Sequence, residues 1–131
     1  MKLAFCLFEY FPFGGLQRDF IRIARTCQNR GHSVRVFTMS WKGEVPDTFQ
    51  VSLIPKHGFS NHRHCRNFSE AVTHQLEKEH YDLVVGFNKM QGLDVYYAAD
   101  SCYKARVTEE KGALYRMGPR CRTYLELERA V

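Results

Sequence analysis

The sequence has no apolar run that approaches the roughly 20 residues needed by a membrane-spanning helix. Its apolar start, residues 1–8, has the character of a signal peptide's hydrophobic region. However, Glu9 and bulky aromatic residues follow it, and no small-x-small cleavage site is present. We therefore expect this segment to be a buried first strand.

Closely spaced cysteines are also missing. The five cysteines are an odd number with no tight spacing, which favours a reducing compartment, the cytoplasm, over a disulfide-bonded secreted domain. His57, His62, His64 and Cys65 are close in sequence, but the second ligand pair of a structural zinc site is absent. We therefore expect no metal site.

What the chain does have is enough apolar sequence for one core. Of its 131 residues, 44% are apolar and 25% are charged, which is typical of a single globular domain. The formal charge of +5 is uneven, because a basic run without acidic residues covers 111–122. Such a run favours an anionic partner, either a phosphate or an acidic lipid. Nucleic acid is disfavoured, since the basic residues are too local and no stacking platform is evident.

The first forty residues predict a parallel sheet. Residues 2–8 form a continuous apolar run, Gly14 and Gly15 mark a loop, residues 16–30 have apolar positions at helical spacing, and residues 32–39 predict a second strand. Strand, glycine loop, helix and strand in that order imply a right-handed βαβ unit and an α/β fold.

The rest of the chain predicts further strands, one helix and a basic end. In order, these are a loop from Trp41 to Asp47, a strand over 49–54, a surface loop over 56–67, a helix from Asn67 or Ser69 to about His80, strands over 81–87 and 93–99, and basic helical sequence beyond Asp100.

The glycine pair is the first candidate site. A helix N-terminus at the carboxyl end of a parallel strand attracts phosphate, and glycine lets a ligand approach the backbone. Gly14 and Gly15 could equally serve only the turn. Asp19, expected in the first helical turn, either interacts with the helix dipole or faces a ligand. The loop is not G-x-G-x-x-G and not a Walker loop.

Polar residues near the ends of later strands are the second candidate. Asp100 follows an apolar strand, where it either points into a ligand crevice or caps a helix. Lys89 could meet an anionic group, or remain an ordinary exposed lysine. His62 and Arg63 lie in the predicted loop over 56–67, which either meets an anionic acceptor or is simply solvated.

Residues 111–125 combine apolar residues at helical spacing with arginines. Such a segment could lie on an anionic membrane surface, or pack on its own domain with a solvated basic side. The residues that would face the membrane are Tyr115, Arg116, Arg120 and Arg122.

Six strings of this chain, taken in order, carry a resemblance to a known family; they cover residues 5–7, 10–20, 30–32, 84–90, 92–100 and 111–116. They resemble the N-terminal part of the retaining glycosyltransferases of family 4, in particular those that glucosylate the lipopolysaccharide core.

The resemblance implies a GT-B enzyme with two Rossmann-like domains, which moves glucose from UDP-glucose to heptose of the inner core without a metal. Residues 1–102 would be the acceptor-side domain, and residues 103–131 would hold it to the anionic inner leaflet, near a lipid A-heptose acceptor. Gly14, Gly15 and Asp19 would approach the donor, and Asp100 would contact the transferred sugar.

The resemblance also implies a donor-binding domain that these 131 residues do not include, so we expect the chain alone to be inactive. The alternative function is a stand-alone Rossmann-like module that docks on an anionic membrane surface or a partner protein. Binding to anionic vesicles tests the basic segment under both functions. If binding survives when Arg116, Arg120 and Arg122 are all replaced by alanine, this segment is not the membrane anchor.

Overall fold

A five-stranded parallel sheet, in the order β5-β3-β1-β6-β7, organises the chain in the computed structural model, which describes residues 1–131. A second sheet pairs β2 with β4. The elements are β1 Lys2–Cys6, β2 Glu9–Tyr10, α1 Gly15–Asn29, β3 Ser33–Thr38, β4 Ser40–Trp41, β5 Gln50–Leu53, α2 Asn61–Lys78, β6 Leu83–Gly86, β7 Val95–Tyr96, α3 Tyr103–Glu110, α4 Ala113–Arg116 and α5 Pro119–Arg129.

The predicted βαβ unit and α/β fold are confirmed. Strand β1 lies in the middle of the sheet, where Leu3 pairs with Val34 of β3 on one side and with Leu83 of β6 on the other. Because all five strands are parallel, their carboxyl ends lie along one edge of the sheet. We call this the carboxyl edge; ligands of open α/β sheets bind there.

The core has one layer on each face of the sheet. On the α1 side, Phe5, Phe20 and Phe87 pack with ring centroids 5.1–6.2 Å apart. On the α2 side, Phe68 and Met90 are buried in a cluster that includes Cys6 and Val72. These two layers pack α1 and α2 against opposite faces of the sheet. The loops that follow the strands therefore lie at the carboxyl edge.

The predicted loop over 56–67 is wrong in its second half. Helix α2 already begins at Asn61, with Ser60 as its N-cap, so neither Asn67 nor Ser69 starts it. Cys65, Phe68, Ser69 and Val72 are buried along one side of this helix. The polar residues that suggested a loop occupy its other sides.

Two shorter differences concern strands. The fifth predicted strand, over 93–99, is reduced to β7, and the predicted loop from Trp41 to Asp47 begins inside β4. Trp41 stacks on Tyr10 of β2 with ring centroids 3.9 Å apart. A two-residue strand pair is too short to produce a periodic pattern in the sequence.

The helical prediction beyond Asp100 is confirmed by α3, α4 and α5. Helix α5 starts after Gly118 with Pro119 in its first turn, and the Arg66–Glu126 ion pair links it to α2, while its Cys121 and Leu127 are buried. Proline suits this position because the first helical N–H groups have no intrahelical partner. None of the helices combines the length and apolarity that crossing a membrane requires.

Candidate functional site

Two adjoining hollows lie at the carboxyl edge. The first, of about 310 Å³, is bordered by Phe8 after β1, by Asn88 and Lys89 after β6, and by residues of α3 and α5. We call it the edge hollow. A second, of about 290 Å³, shares Phe8, Asn88 and Tyr124 with it and continues towards α2. This is the position at which a parallel sheet offers a ligand site.

Asn88, which borders both hollows, connects the loops that follow β1 and β6. Its side-chain oxygen accepts a hydrogen bond of 2.8 Å from the backbone N–H of Phe8. The loops after β1 and β6 are thereby held together, and the amide nitrogen of Asn88 has no partner within the protein. No sequence pattern indicates this role, because an asparagine after a strand usually belongs to a turn.

Lys89 lines the edge hollow, but it is not a free exposed cation. Its ammonium contacts the carboxylate of Glu128 and donates to the carbonyl oxygen of Ser101 at 3.0 Å. The side chains of Lys89 and Glu128 are only 16% and 15% exposed. The Lys89 ammonium thus already has an acidic partner and a carbonyl acceptor within the protein, and it is less available to an anionic ligand than predicted.

Glu128 was missed by sequence reasoning. Its carboxylate accepts backbone hydrogen bonds from Tyr103 at 2.6 Å and Lys104 at 2.8 Å, at the start of α3. Burial opposes the charged form, but the hydrogen bonds from Lys89 and these N–H groups outweigh it and lower the pKa of Glu128 to about 2. No local pattern links a glutamate in α5 to a helix that begins 25 residues earlier.

Asp100 also lines the edge hollow. It follows β7 by four residues rather than ending the strand, and it is exposed. No hydrogen bond or ion pair with the rest of the chain involves its side chain. The N-cap of α3 is Cys102, so the alternative of a helix cap at Asp100 is wrong.

The two glycines at the start of α1 have different surroundings. A Cβ atom on Gly14 would lie 1.8 Å from Oε1 of Gln17 and 2.8 Å from the Phe11 ring, whereas a Cβ on Gly15 would meet nothing within 4 Å. Gly14 is therefore explained by the packing of the turn itself. Gly15 is open to solvent at a helix start whose N–H groups no side chain caps.

Asp19 does not join this site. It lies just beyond the first turn of α1, which contains no acidic residue, so its predicted place in that turn is wrong. Its carboxylate accepts hydrogen bonds from Tyr97 at 2.8 Å and Arg22 at 3.1 Å. It lines neither hollow, and the structure does not bring it together with Asp100.

The histidine-rich segment is also separate. His62 and Arg63, on α2 rather than in a loop, line a groove between α2 and α5 together with Arg66 and Arg122. The His64 ring contacts the carbonyl oxygen of Gly58 at 2.8 Å. These side chains and Cys65 form no group suited to holding a metal ion.

The basic segment divides into an outward and an inward part. Leu114 and Met117 are 88% and 68% exposed, and Tyr115 and Arg116 of α4 are exposed beside them. Helix α5, in contrast, packs inward. Arg120 lines the edge hollow and Arg122 the groove on α2, so the four predicted membrane residues do not share one surface.

Comparison with known proteins gives consistent matches. The model of the Glycosyltransferase Family 4 matches residues 13–107. The chain is 52% identical over 130 residues to the lipopolysaccharide glucosyltransferase WaaG of Escherichia coli (strain K12), covering 99% of this chain and 35% of that protein.

Comparison with solved structures gives a match of the same kind. The crystal structure of WaaG, a glycosyltransferase involved in lipopolysaccharide biosynthesis, superposes with a TM-score of 0.95 over 98% of this chain and 35% of that chain, at 52% identity. The chain thus spans about a third of the length of the relatives it matches.

Proposed function

Because the chain belongs to Glycosyltransferase Family 4, we propose that it forms the acceptor-side part of an enzyme that transfers glucose from UDP-glucose, with retention, to a heptose of the lipopolysaccharide inner core. The observation that carries the proposal is the 52% identity to a lipopolysaccharide glucosyltransferase along 99% of the chain. Identity at this level over a whole segment supports a shared reaction far better than a shared fold does.

In this proposal, the edge hollow receives the acceptor saccharide. Asp100 has an unpartnered carboxylate beside the hollow, so it can accept a hydrogen bond from a sugar hydroxyl at the reacting centre. Gly15 and the uncapped N–H groups of α1 lie on the donor's side and stabilise the charge that develops on the leaving diphosphate. Further N–H groups and cations, rather than a metal ion, complete that stabilisation.

The proposal also includes a membrane surface as partner. Leu114 and Met117 are exposed next to Tyr115 and Arg116, and apolar side chains flanked by arginines suit an anionic interface. A lipid-linked acceptor at the inner leaflet would then be close to the edge hollow, which α3 and α5 border.

A chimera tests the transfer. Residues 1–131 are joined to the part of the E. coli relative that lies beyond the match, and glucose transfer from radiolabelled UDP-glucose to heptosylated lipid A is measured. We expect transfer by the chimera, a strong loss in its D100N variant, and none by the 131-residue chain alone. Transfer by the short chain, or a folded chimera that binds vesicles but transfers nothing, would contradict the proposal, the latter in favour of a stand-alone binding module.

A further inference from the structure

Two arginines line the edge hollow without a carboxylate partner. Arg106 is on α3 and Arg120 is in the first turn of α5. Neither takes part in an ion pair or a side-chain hydrogen bond, although other arginines of the chain, such as Arg66, do. An unpaired guanidinium in a concave site is available to an anion.

Aromatic rings hold both guanidinium groups. Arg106 lies over the Tyr103 ring at 5.6 Å, and Arg120 over the Tyr124 ring at 5.9 Å. The two rings contact each other, with centroids 5.2 Å apart. Stacking of this kind occupies the face of a guanidinium and leaves the N–H donors at its edges free for bidentate contacts.

Glu128 fixes the positions of α3 and α5, the helices that carry the two arginines. Glu128 of α5 binds the first N–H groups of α3 and also Lys89, so the two helices that carry the arginines are tied to each other and to the sheet. The charge of Lys89 is compensated by the same carboxylate. The positive charge that remains uncompensated along the hollow therefore comes from Arg106 and Arg120.

Asp100 lines the same hollow with an unpartnered carboxylate, and Asn88 contributes an unpartnered amide nitrogen. We propose that the edge hollow binds an anionic saccharide, whose phosphate or carboxylate is held by Arg106 and Arg120 and whose hydroxyl donates to Asp100. This rests on the proposed function, because it names the chemical class of the acceptor. A neutral sugar would leave the arginines without a partner, and a bare anion would bind the arginines but leave the Asp100 carboxylate without a hydroxyl donor and be repelled by its charge.

Binding to the 131-residue chain tests the inference by NMR titration at constant ionic strength. The probes are glucose 6-phosphate, glucose and inorganic phosphate. We expect glucose 6-phosphate to shift the backbone amides of Lys89, Ser101 and Tyr103, and to bind about ten-fold more tightly than either other probe. Equal affinities for glucose 6-phosphate and inorganic phosphate would overturn the proposal.

Matched variants separate the site from general charge. R106Q and R120Q are each expected to weaken glucose 6-phosphate binding about ten-fold, whereas R122Q, the same change on the other side of α5, leaves it within about two-fold. D100N should weaken binding of glucose 6-phosphate and strengthen that of inorganic phosphate, because the neutral amide oxygen accepts the sugar hydroxyl less strongly than a carboxylate and the like charge is removed. Equal losses in R120Q and R122Q, or a D100N variant that changes both probes alike, would refute the site.

Two further outcomes distinguish the sources of the anion. If vesicles of phosphatidylglycerol displace glucose 6-phosphate and lose that ability in R106Q, the hollow is a headgroup site and the proposal is wrong. Since the titration requires no glucose transfer, an inactive chimera would overturn the proposed function and leave the binding result intact. Full activity of the chimera with unaltered glucose 6-phosphate binding by R106Q and R120Q would overturn only this inference.

Discussion

The ammonium of Lys89 and the carboxylate of Glu128 form an ion pair that joins the loop after β6 to the last helix. The same carboxylate holds the first N–H groups of α3. One glutamate therefore fixes the three structural parts that border the edge hollow. Its removal tests how strongly the segment after Asp100 is attached to the sheet.

Replacing Glu128 by glutamine should loosen this attachment. The amide keeps one acceptor oxygen, but its NH₂ group cannot accept from a backbone N–H, and the Lys89 charge loses its partner. We expect the free energy of unfolding to fall by about 2 kcal/mol, the range for hydrogen bonds to charged groups. Urea unfolding measures the total, and faster amide exchange in α3 would locate the loss.

The control for this variant is E126Q on the same helix. Glu126 pairs with Arg66 in an exposed position, and such pairs contribute about 0–1 kcal/mol. A loss in E126Q equal to that in E128Q would show that any glutamate of α5 matters alike, against a special role for Glu128.

The same carboxylate predicts a dependence on pH. Its pKa is lowered from its ordinary value near 4.5 to about 2, so its stabilisation is complete above pH 4.5 and is lost as the pH falls towards 2. The chain should lose stability over this interval, and E128Q should lose less. Glu79, whose pKa is lowered to about 2 by hydrogen bonds from Lys2 and Tyr81, keeps part of the slope in both proteins. Parallel curves for the chain and E128Q would contradict the assignment.

The sequence predicted the fold well where patterns are local. Apolar runs located β1, β3 and β6, and the three- and four-residue steps located α1 to within one residue. The N-cap of helix α2 was predicted seven or nine residues too late, at Asn67 or Ser69 instead of Ser60, because a polar surface masked its buried side. Periodicity measures only which side chains are apolar, so a helix that turns polar residues outward at its start looks like a loop.

Of the residues that line the edge hollow, Asp100 and Lys89 were candidates from the sequence, but their surroundings were not predicted. Their neighbours Glu128, Arg106 and Arg120 lie at other positions of the chain, and only the folding of α3 and α5 over the sheet edge brings them close. Contacts between such distant residues leave no trace in spacing. Conversely, Asp19 had a plausible position in sequence but faces Tyr97 instead.

The glycine pair offers a matched test of structure against function. G14A should cost about 1–2 kcal/mol, because the new Cβ displaces the buried Gln17 side chain and breaks its hydrogen bond to the carbonyl of Glu9. G15A should change stability by less than about 0.5 kcal/mol, yet lower kcat/KM of the chimera by about ten-fold, since a Cβ would stand where the diphosphate approaches.

Urea unfolding and steady-state transfer with varied UDP-glucose separate the two effects. If the G15A chimera has an unchanged kcat/KM, Gly15 does not lie where the donor's diphosphate approaches. A G14A chain as stable as the original would show that Gln17 moves aside without loss.

Gly86 in β6 should not tolerate a side chain either. An added Cβ would lie 2.2 Å from Cδ1 of Leu93, so G86A is expected to lower the free energy of unfolding by about 1–3 kcal/mol. Leu93 packs only at the margin of the core, and L93A creates space at that point. The double variant should be less destabilised than the sum of the single ones by at least about 0.5 kcal/mol; strict additivity would contradict a direct clash.

Membrane attachment is tested without disturbing the edge hollow. K111A/R116A removes two exposed cations next to Leu114 and Tyr115 but keeps Arg120, which lines the hollow. Since each basic residue near an anionic surface contributes about 1 kcal/mol, we expect binding to phosphatidylglycerol vesicles to weaken by about 30-fold. Sedimentation with the vesicles measures this partition.

The matched control is R18A/R25A, which makes the same charge change on the exposed side of α1. If attachment uses α4 and its surroundings, this control should bind within about two-fold of the original chain, while L114A, which removes a side chain that is 88% exposed, weakens binding even at high salt. Equal losses in both double variants would mean that only net charge attracts the chain to the vesicle. If L114A binds vesicles at high salt as well as the original chain does, the segment contacts the membrane electrostatically and does not insert. The reason is that salt screens the basic residues but not the apolar contribution of Leu114.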